Sequence, residues 1–378
     1  MVTVKRYNQP DFVLLAVIGL LVAAGILILA SVSAPYSHQK FGNTYYFLNH
    51  QIIYGLIPGL ILGFLAFKTR MSSIKKWTPF LLLGNLFLLA MVFVPRIGLQ
   101  IEGATRWIAI GPVSFQPSEI LKLIFVLYLA AWLANRTPRQ NALKNRGTEK
   151  SFSQTLLFFF IIMGLIAITL ISQPDISTFG LICLVALSMY FANNTPVSHS
   201  VLMVFLGMAS LFVLTKLAPY RANRLLVFFN PEIDPMGIGY QLKQSLIAVG
   251  SGGATGVGLG MGIQKLGFLP QPIADSIFAV FSEEAGFAGS LFLISLFLLF
   301  LWRGLKITKE AGDRFQQLAA LGIVSWITIQ AFINIGAMIG ILPLTGIPLP
   351  FISYGGTALV ATLIGTGILL NISKNATQ

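Results

Sequence analysis

Cysteine, histidine and acidic side chains are all scarce in this 378-residue sequence, and each shortage removes a class of protein. The single cysteine, Cys183, lies in an apolar run, so an internal disulfide is excluded and nothing follows about redox compartment. His38, His50 and His199 stand far apart, none with a ligand partner at helical or loop spacing, which speaks against a structural zinc site. Charged residues make up 10% of the chain, against roughly 25% in soluble globular domains. Hydrophobic residues make up 56%, and the mean hydropathy is +0.81. A body this apolar has too little polar surface to face water, so lipid is its solvent. The net charge of +13 is not gathered into Lys/Arg blocks with interleaved aromatics, so nucleic acid is no partner. No nucleophile elbow occurs in a strand-to-helix context, and the strand content read from the sequence is negligible.

What the sequence has instead is a succession of apolar runs. Ten are long enough to span a bilayer: approximately 12–33, 51–67, 77–95, 119–134, 155–172, 178–192, 198–216, 276–302, 315–340 and 352–373. The expected fold is therefore an all-α polytopic membrane protein of about ten transmembrane helices, one domain over residues 1–378. The first run follows Lys5 and Arg6 and ends in Ser31-Val32-Ser33-Ala34, as a signal peptide can, but nine further runs favour an uncleaved first helix. Orientation follows from the Lys/Arg bias. With the N-terminus in the cytoplasm, sixteen basic residues fall on inner segments and seven on outer ones, and both termini are inside. Two connections are long. Residues 135–154 form a basic cytoplasmic loop that sets topology. Residues 217–275, between spans seven and eight, form an extracytoplasmic loop too long to lack structure. Within it, Tyr240–Val249 reads as a short helix at the membrane surface.

The informative acids lie on the outer face, where charge at span ends is functional or paired by default. Ser118 and Glu119 open span four, and Lys122 follows at i, i+3, a spacing that suits an ion pair on one helix face. Asp175, in the turn Gln173-Pro-Asp-Ile-Ser177, reads either as an N-cap or as a site residue. The glycine run Gly250–Gly262 lacks the Gly-Lys-Ser/Thr ending of a phosphate loop and follows no strand. It reads as a place where backbone approaches a lipid headgroup or another helix. Arg106, Arg221, Arg224 and Lys243 are candidate anion binders, and their forks and charge suit a pyrophosphate bridge. Asp275, at the junction of the long loop with span eight, is a candidate base, with helix capping as the competing reading. Together these clusters describe an outward-opening polar cavity beneath a membrane-hugging loop, with apolar surface to suit a lipid tail.

Several motifs then form a set: Gly103-Ala-Thr-Arg-Trp-Ile108, Gln116-Pro-Ser-Glu119, Gln173-Pro-Asp175, Tyr240-Gln-x-x-Gln-Ser-Leu-Ile-Ala248, Gly250-Ser-Gly-Gly253, Asp275-x-Ile-Phe-Ala-Val280 and Pro348-Leu-Pro-Phe-Ile-Ser-Tyr-Gly-Gly356. In this order and over nearly the whole chain, the set resembles the SEDS family of FtsW, RodA and SpoVE. Gly256-Val-Gly-Leu-Gly260 followed by Gln264-Lys265 is more similar to the FtsW branch. The resemblance implies a ten-helix glycosyltransferase that polymerises lipid II, with undecaprenyl-diphosphate-linked glycan as donor, outside the cytoplasmic membrane. It also implies work beside a class B penicillin-binding protein. The family's essential aspartate falls on Asp275, and Glu119, Lys122, Gln244 and Lys265 join Arg106, Asp175, Arg221 and Arg224 as expected substrate-binding residues. One departure stands out: the family commonly reads Pro-Glu-Ala-His-Thr-Asp-Phe, whereas here the segment is Pro270-Gln-Pro-Ile-Ala-Asp-Ser276. The glutamate and histidine are missing, and the aspartate is kept.

Two rival functions use the same cavity: passage of lipid II across the bilayer, and a noncatalytic scaffold for a transpeptidase. A transporter needs ionisable groups near mid-span, whereas the acids here cluster at outer ends, which favours chemistry. No cofactor is evident, and a divalent cation travelling with the substrate's pyrophosphate is the metal role left open. Membrane lipids are the remaining expected partners. Small residues in Gly286-Phe-Ala-Gly-Ser290 permit close packing of a helix, from a single-span partner or from the chain's own bundle.

Overall fold

The computed structural model describes residues 9–101, 104–111, 113–136, 148–193, 201–205, 207, 224 and 226–374. Helix α1 (Phe12–Phe41) starts where the Asp11 carboxylate accepts the Leu14 N–H at 2.8 Å and stops where Gly42 turns left-handed at φ 67°. It continues two turns beyond the first apolar run, with Pro35 inside it. Helix α2 (Tyr46–Lys68) contains a π-turn over Ile52–Leu56, and α3 spans Met71–Met91. A small antiparallel sheet follows, β1 (Gly98–Ile101), β2 (Ala104–Ile110) and β3 (Val113–Phe115). Further helices among the described residues are α4 (Pro117–Arg136), α5 (Thr148–Ser172), α6 (Ile176–Phe191), α7 (Ile238–Ser251), α8 (Ile277–Glu310), α9 (Arg314–Met338) and α10 (Gly356–Lys374).

Among the described residues, seven helices (α1 to α4 and α8 to α10) are long and apolar enough to cross a membrane. Helices α5 and α6 supply two shorter apolar stretches, Leu157–Ser172 and Ile176–Phe191. The expected run 198–216 lies largely outside the described residues, as do 137–147 of the basic loop. That loop is shorter than the expected 135–154, because α5 already begins at Thr148. In the long extracytoplasmic loop, α7 stands where a short helix is expected, four residues longer in all than Tyr240–Val249.

Charge sorts to the two ends of the bundle. One end carries Lys68, Arg70, Lys75, Lys76, Arg303, Lys306, Lys309, Arg314 and Lys374, the end that the Lys/Arg bias assigns to the cytoplasm. Arg303 pairs there with Asp11, whose N–H donates to Ser373 Oγ at 3.0 Å. Arg314 holds the end of α6 through Asn193 and the Ala192 carbonyl.

The centre of the molecule is α4, α9 and α10, whose most apolar windows are 72%, 72% and 67% buried, against 22% for α2 and α3. Trp326, Leu121, Ala130, Ile323 and Leu369 pack among them with almost no exposure. Helix α2 lies against α10 at backbone distance: a Cβ placed on Gly367 would sit 2.2 Å from the Gly63 carbonyl oxygen. Close approach through small residues is how helices bind one another where lipid is as apolar as Leu. Gly367→Leu is expected to force this pair apart at a cost of about 1–3 kcal/mol, the range for overpacking. Thermal unfolding of the purified protein in detergent measures it, and an unchanged midpoint would refute this contact.

Candidate active site

A cavity of about 1430 Å³ opens at the end opposite the basic cluster. Its polar wall includes Arg106, Glu119, Asp175, Arg224, Gln241 and Asp275, drawn from six separate segments of chain. Its apolar wall, with Phe159, Phe160, Met163, Leu181 and Leu184, runs between α5 and α6.

Arg106 comes from β2, in the sheet that the all-helical reading omits. Its strands are only four, seven and three residues long, so no extended alternation announces them. The signal available was the β-favouring run Thr105–Ile110 followed by Gly111-Pro112. β1 and β2 pair antiparallel, Gly98 opposite Ile108, with a bulge at Leu99/Gln100. The guanidinium lies against the Gln173-Pro174 turn, Nε donating to Gln173 O at 3.0 Å and an Nη to Pro174 O at 2.6 Å.

That turn is itself pinned. Asp175 caps α6, accepting the Thr178 N–H at 3.4 Å, and takes a second bond from Ser118 Oγ at 2.9 Å. Asp175 therefore caps a helix, as one of its two readings expects, and it also lines the cavity. One turn into α4, Lys122 Nζ reaches the Glu119 carboxylate at 2.8 Å and Gln330 Oε1 at 3.0 Å. Lys122 is 2% exposed and lies 5.7 Å from the centre of the Trp326 ring. The i, i+3 spacing legible in the sequence thus closes as a buried ion pair.

Asp275 sits in a turn just before α8. The cap position of that helix falls on Ser276, which makes no side-chain cap bond, so the capping reading of Asp275 does not hold. The carboxylate lines the cavity, with Gln241 Nε2 3.5 Å from Oδ2 and 3.1 Å from Ser276 Oγ. Gly346, at φ 69°, leaves room beside it, since even a Cβ there would stand 3.8 Å from Oδ2. Ile273 O accepts the Tyr354 N–H at 2.8 Å, and Ala274 O accepts from Ser353 Oγ. The Tyr354 hydroxyl pairs with His50 Nδ1 at 3.0 Å.

Of the other expected site residues, Arg224 lines the cavity and donates to the Leu344 carbonyl at 3.3 Å. Arg221 lies outside the described residues. Gln244 is half-buried on α7 but not part of the cavity wall, where its neighbour Gln241 is found instead. Lys243 is exposed. Lys265 is brought elsewhere: 3% exposed, it pairs with Glu284 and donates to Ser31 O at 3.2 Å, behind the loop.

The glycine run explains that displacement. Helix α8 breaks at Gly286 (φ 65°, ψ −164°). The carbonyls of Glu283 and Glu284 accept the N–H groups of Val257 and Gly258, while Phe287 and Ala288 N–H donate to Gly253 and Ala254 O. Residues 253–258 of the run therefore serve as a backbone splice into α8, the close packing that one of its two sequence readings expects. A Cβ on Gly256 would meet Glu284 O at 2.1 Å. Gly286 faces this splice, while Phe287 and Ala288 beside it are exposed, so the stretch Gly286–Ser290 packs on the chain's own loop only at Gly286.

A helical bundle with an ion-lined cavity at one end, open beside an apolar cleft, defines a multi-pass helical membrane protein. The chain belongs to the FtsW/RodA/SpoVE family: residues 11–378 match that family, described as cell cycle protein. It is thus a multi-pass protein of the bacterial cytoplasmic membrane. Stage V sporulation protein E of Bacillus subtilis is 36% identical over 372 residues, covering 98% of this chain and 99% of that one. A probable peptidoglycan glycosyltransferase FtsW of Nitrosococcus halophilus is 36% identical over 367 residues, covering 96% and 92%. Among solved structures, a peptidoglycan synthase complex coordinating polymerization and crosslinking superposes with TM-score 0.77 at 27% identity, over 98% of this chain and 99% of that one. The rod shape determining protein RodA of Thermus thermophilus gives 0.67 at 25% identity, over 98% of each chain.

Lys122→Met would leave the Glu119 carboxylate buried without its cation, at a cost of about 3–5 kcal/mol. The double variant Glu119→Gln/Lys122→Met is expected to recover much of that loss. Unfolding midpoints of the three proteins decide it, and equal loss in the double variant would show that the charges do not depend on each other.

Proposed function

We propose that this chain is a peptidoglycan glycosyltransferase that polymerises lipid II at the outer face of the cytoplasmic membrane, in the septal branch of wall synthesis. The observation that carries this reading is the Asp275 carboxylate at the wall of a cavity that also presents Arg106 and Arg224. The 4-hydroxyl of the acceptor lipid II attacks the anomeric carbon of the donor glycan. Asp275 takes the hydroxyl proton as the new carbon–oxygen bond forms and the bond to undecaprenyl diphosphate breaks. Arg106 and Arg224, with Arg221, offset the charge that builds on the departing pyrophosphate. The apolar cleft between α5 and α6, lined by Phe159, Phe160 and Leu184, suits the polyprenyl tail. A divalent cation, if one takes part, would travel with the substrate's pyrophosphate.

The relatives named as glycosyltransferases and the synthase complex support the same activity and a transpeptidase partner of the class B penicillin-binding type. A single-span partner would meet the lipid-facing side of α8, where Phe287, Leu291, Phe292 and Trp302 are exposed. Transport is less well supported. Among the described residues the charged groups collect at the two ends of the bundle, and Glu119, on the cavity wall, is held in a buried ion pair with Lys122.

Asp275→Asn keeps the volume and removes the proton acceptor. Polymerisation of labelled lipid II by the purified protein with its partner should fall by roughly 10²–10⁴-fold, with folding and partner binding intact. Robust polymer from this variant would sink the assignment of Asp275 as base and turn attention to Glu119 and Asp175.

A further inference from the structure

Asp275 stands on a turn, and a carboxylate on a turn is only as well placed as the groups that hold its backbone. Its own carbonyl accepts from Asn334 Nδ2 at 2.7 Å. The same nitrogen donates its second proton to Ile347 O at 2.8 Å, so one amide of α9 ties the Asp275 turn to the loop before α10. Asn334 is 1% exposed. One turn earlier on α9, Gln330 repeats the device on the next carbonyl of that loop. Its Nε2 donates to Pro348 O at 2.8 Å, while its Oε1 accepts from Lys122 Nζ at 3.0 Å and from Trp326 Nε1 at 2.8 Å. Two amides at i, i+4 thus take two consecutive carbonyls, and their other bonds reach the two charged centres of the cavity.

We infer that Gln330 and Asn334 are positioning residues, a ladder on α9 that fixes the distance between Asp275 and the Glu119–Lys122 pair. The inference rests on the reading of Asp275 as the base. Neither amide lines the cavity, so neither touches substrate. Each acts through the group it holds. Asn334 sets the backbone of the base directly. Gln330 sets Lys122 and, through the 347–348 backbone, the anchor on which Asn334 pulls. A displacement of about 1 Å at a reacting group can cost of order 10²-fold in rate, so loss of the ladder falls on the chemical step and leaves the binding of lipid II in place.

The test uses the full-length protein with its transpeptidase partner and labelled lipid II. Asn334→Leu removes both donors at similar volume, and Asn334→Asp removes them with almost no change of shape. Both are expected to lower kcat by about 10–100-fold with KM within about twofold. Hydrogen exchange should rise at the backbone amides of 273–276 and stay unchanged across α9 and α10. Gln330→Leu, which leaves the bond to Asp275 O, should lose less. Should Asn334→Leu fail to fold, Asn334→Asp carries the test alone. Wild-type kcat in the Asn334 variants, a rise in KM at constant kcat, or faster exchange spread evenly over the bundle would each overturn the ladder. Asp275→Asn is assayed in parallel. If it is inactive while the Asn334 variants keep wild-type kcat, the ladder alone fails. If it polymerises normally, the base assignment fails, and with it the route through which Asn334 is said to act.

Discussion

In hydrocarbon no water is at hand to complete a backbone hydrogen bond, so every polar group at membrane depth must find its partner inside the protein. The shape of this molecule follows from that constraint at the places where it departs from plain helix. Helix α8 opens at Gly286, and an unmatched break would strand two carbonyls and two amides in an apolar medium. The glycine run from 252 to 258 supplies the four missing partners, carbonyl for amide and amide for carbonyl. At Gly252 and Gly256 a Cβ would stand 2.1 Å from the Ser282 and Glu284 carbonyl oxygens, so those two positions exclude a side chain. The same constraint governs 339–355, which has no helix of its own and is held by the side-chain amides of Gln51, Gln330 and Asn334 from neighbouring segments and by its own Ser353 hydroxyl.

Charge obeys the same rule at higher stakes. A buried ion pair costs desolvation that its attraction only partly offsets, so its presence argues for a task rather than for stability. Two such pairs flank the extracytoplasmic end. Glu119–Lys122 is wired into the cavity through Gln330. Lys265–Glu284 joins the long loop to α8, with Ser31 of α1 as the third member. The second pair holds no wall of the cavity. It secures the loop nine residues ahead of the turn that begins at Ala274, so the stretch carrying Asp275 is tethered on one side by α8 and on the other by the segment before α10.

What the sequence made legible were features with local causes. Lipid demands long apolar helices, and the runs at 276–302, 315–340 and 352–373 lie on α8, α9 and α10. Glu119 and Lys122 pair because three residues on a helix bring them together, and Asp175 caps because a Pro-Asp turn opens α6. Features with long-range causes were not legible. The strands around Arg106 are too short to carry a periodicity of their own. Which of Gln241 and Gln244 meets the cavity depends on how α7 rests on α8 and α9. Lys265 belongs to Glu284 because the glycine run threads the break in α8, a pairing that no spacing in the sequence encodes. Gly286 and Gly289 looked like a docking surface, and small residues do allow close packing. Gly286 packs against the chain's own loop, whereas Phe287 and Ala288 next to it face outward.

The division of labour between rigid and yielding parts follows from burial. Gln330 and Asn334 hang on α9, and Glu119 and Lys122 hang on α4, two of the three helices most enclosed by the rest. Groups that must keep their spacing through a reaction are thereby mounted on elements that cannot move without disturbing the core. The cleft between α5 and α6 lies toward the periphery, where Phe158, Ile161, Leu165, Ile168 and Leu184 face outward. An amphiphile can then enter sideways from the bilayer between the less enclosed helices, keep its tail in an apolar medium throughout, and bring only its head to the charged end. On the proposed reading the pyrophosphate would not pass through the core, where the packed trio of α4, α9 and α10 occupies the route. A bundle built this way suits chemistry at one membrane face better than passage from one face to the other.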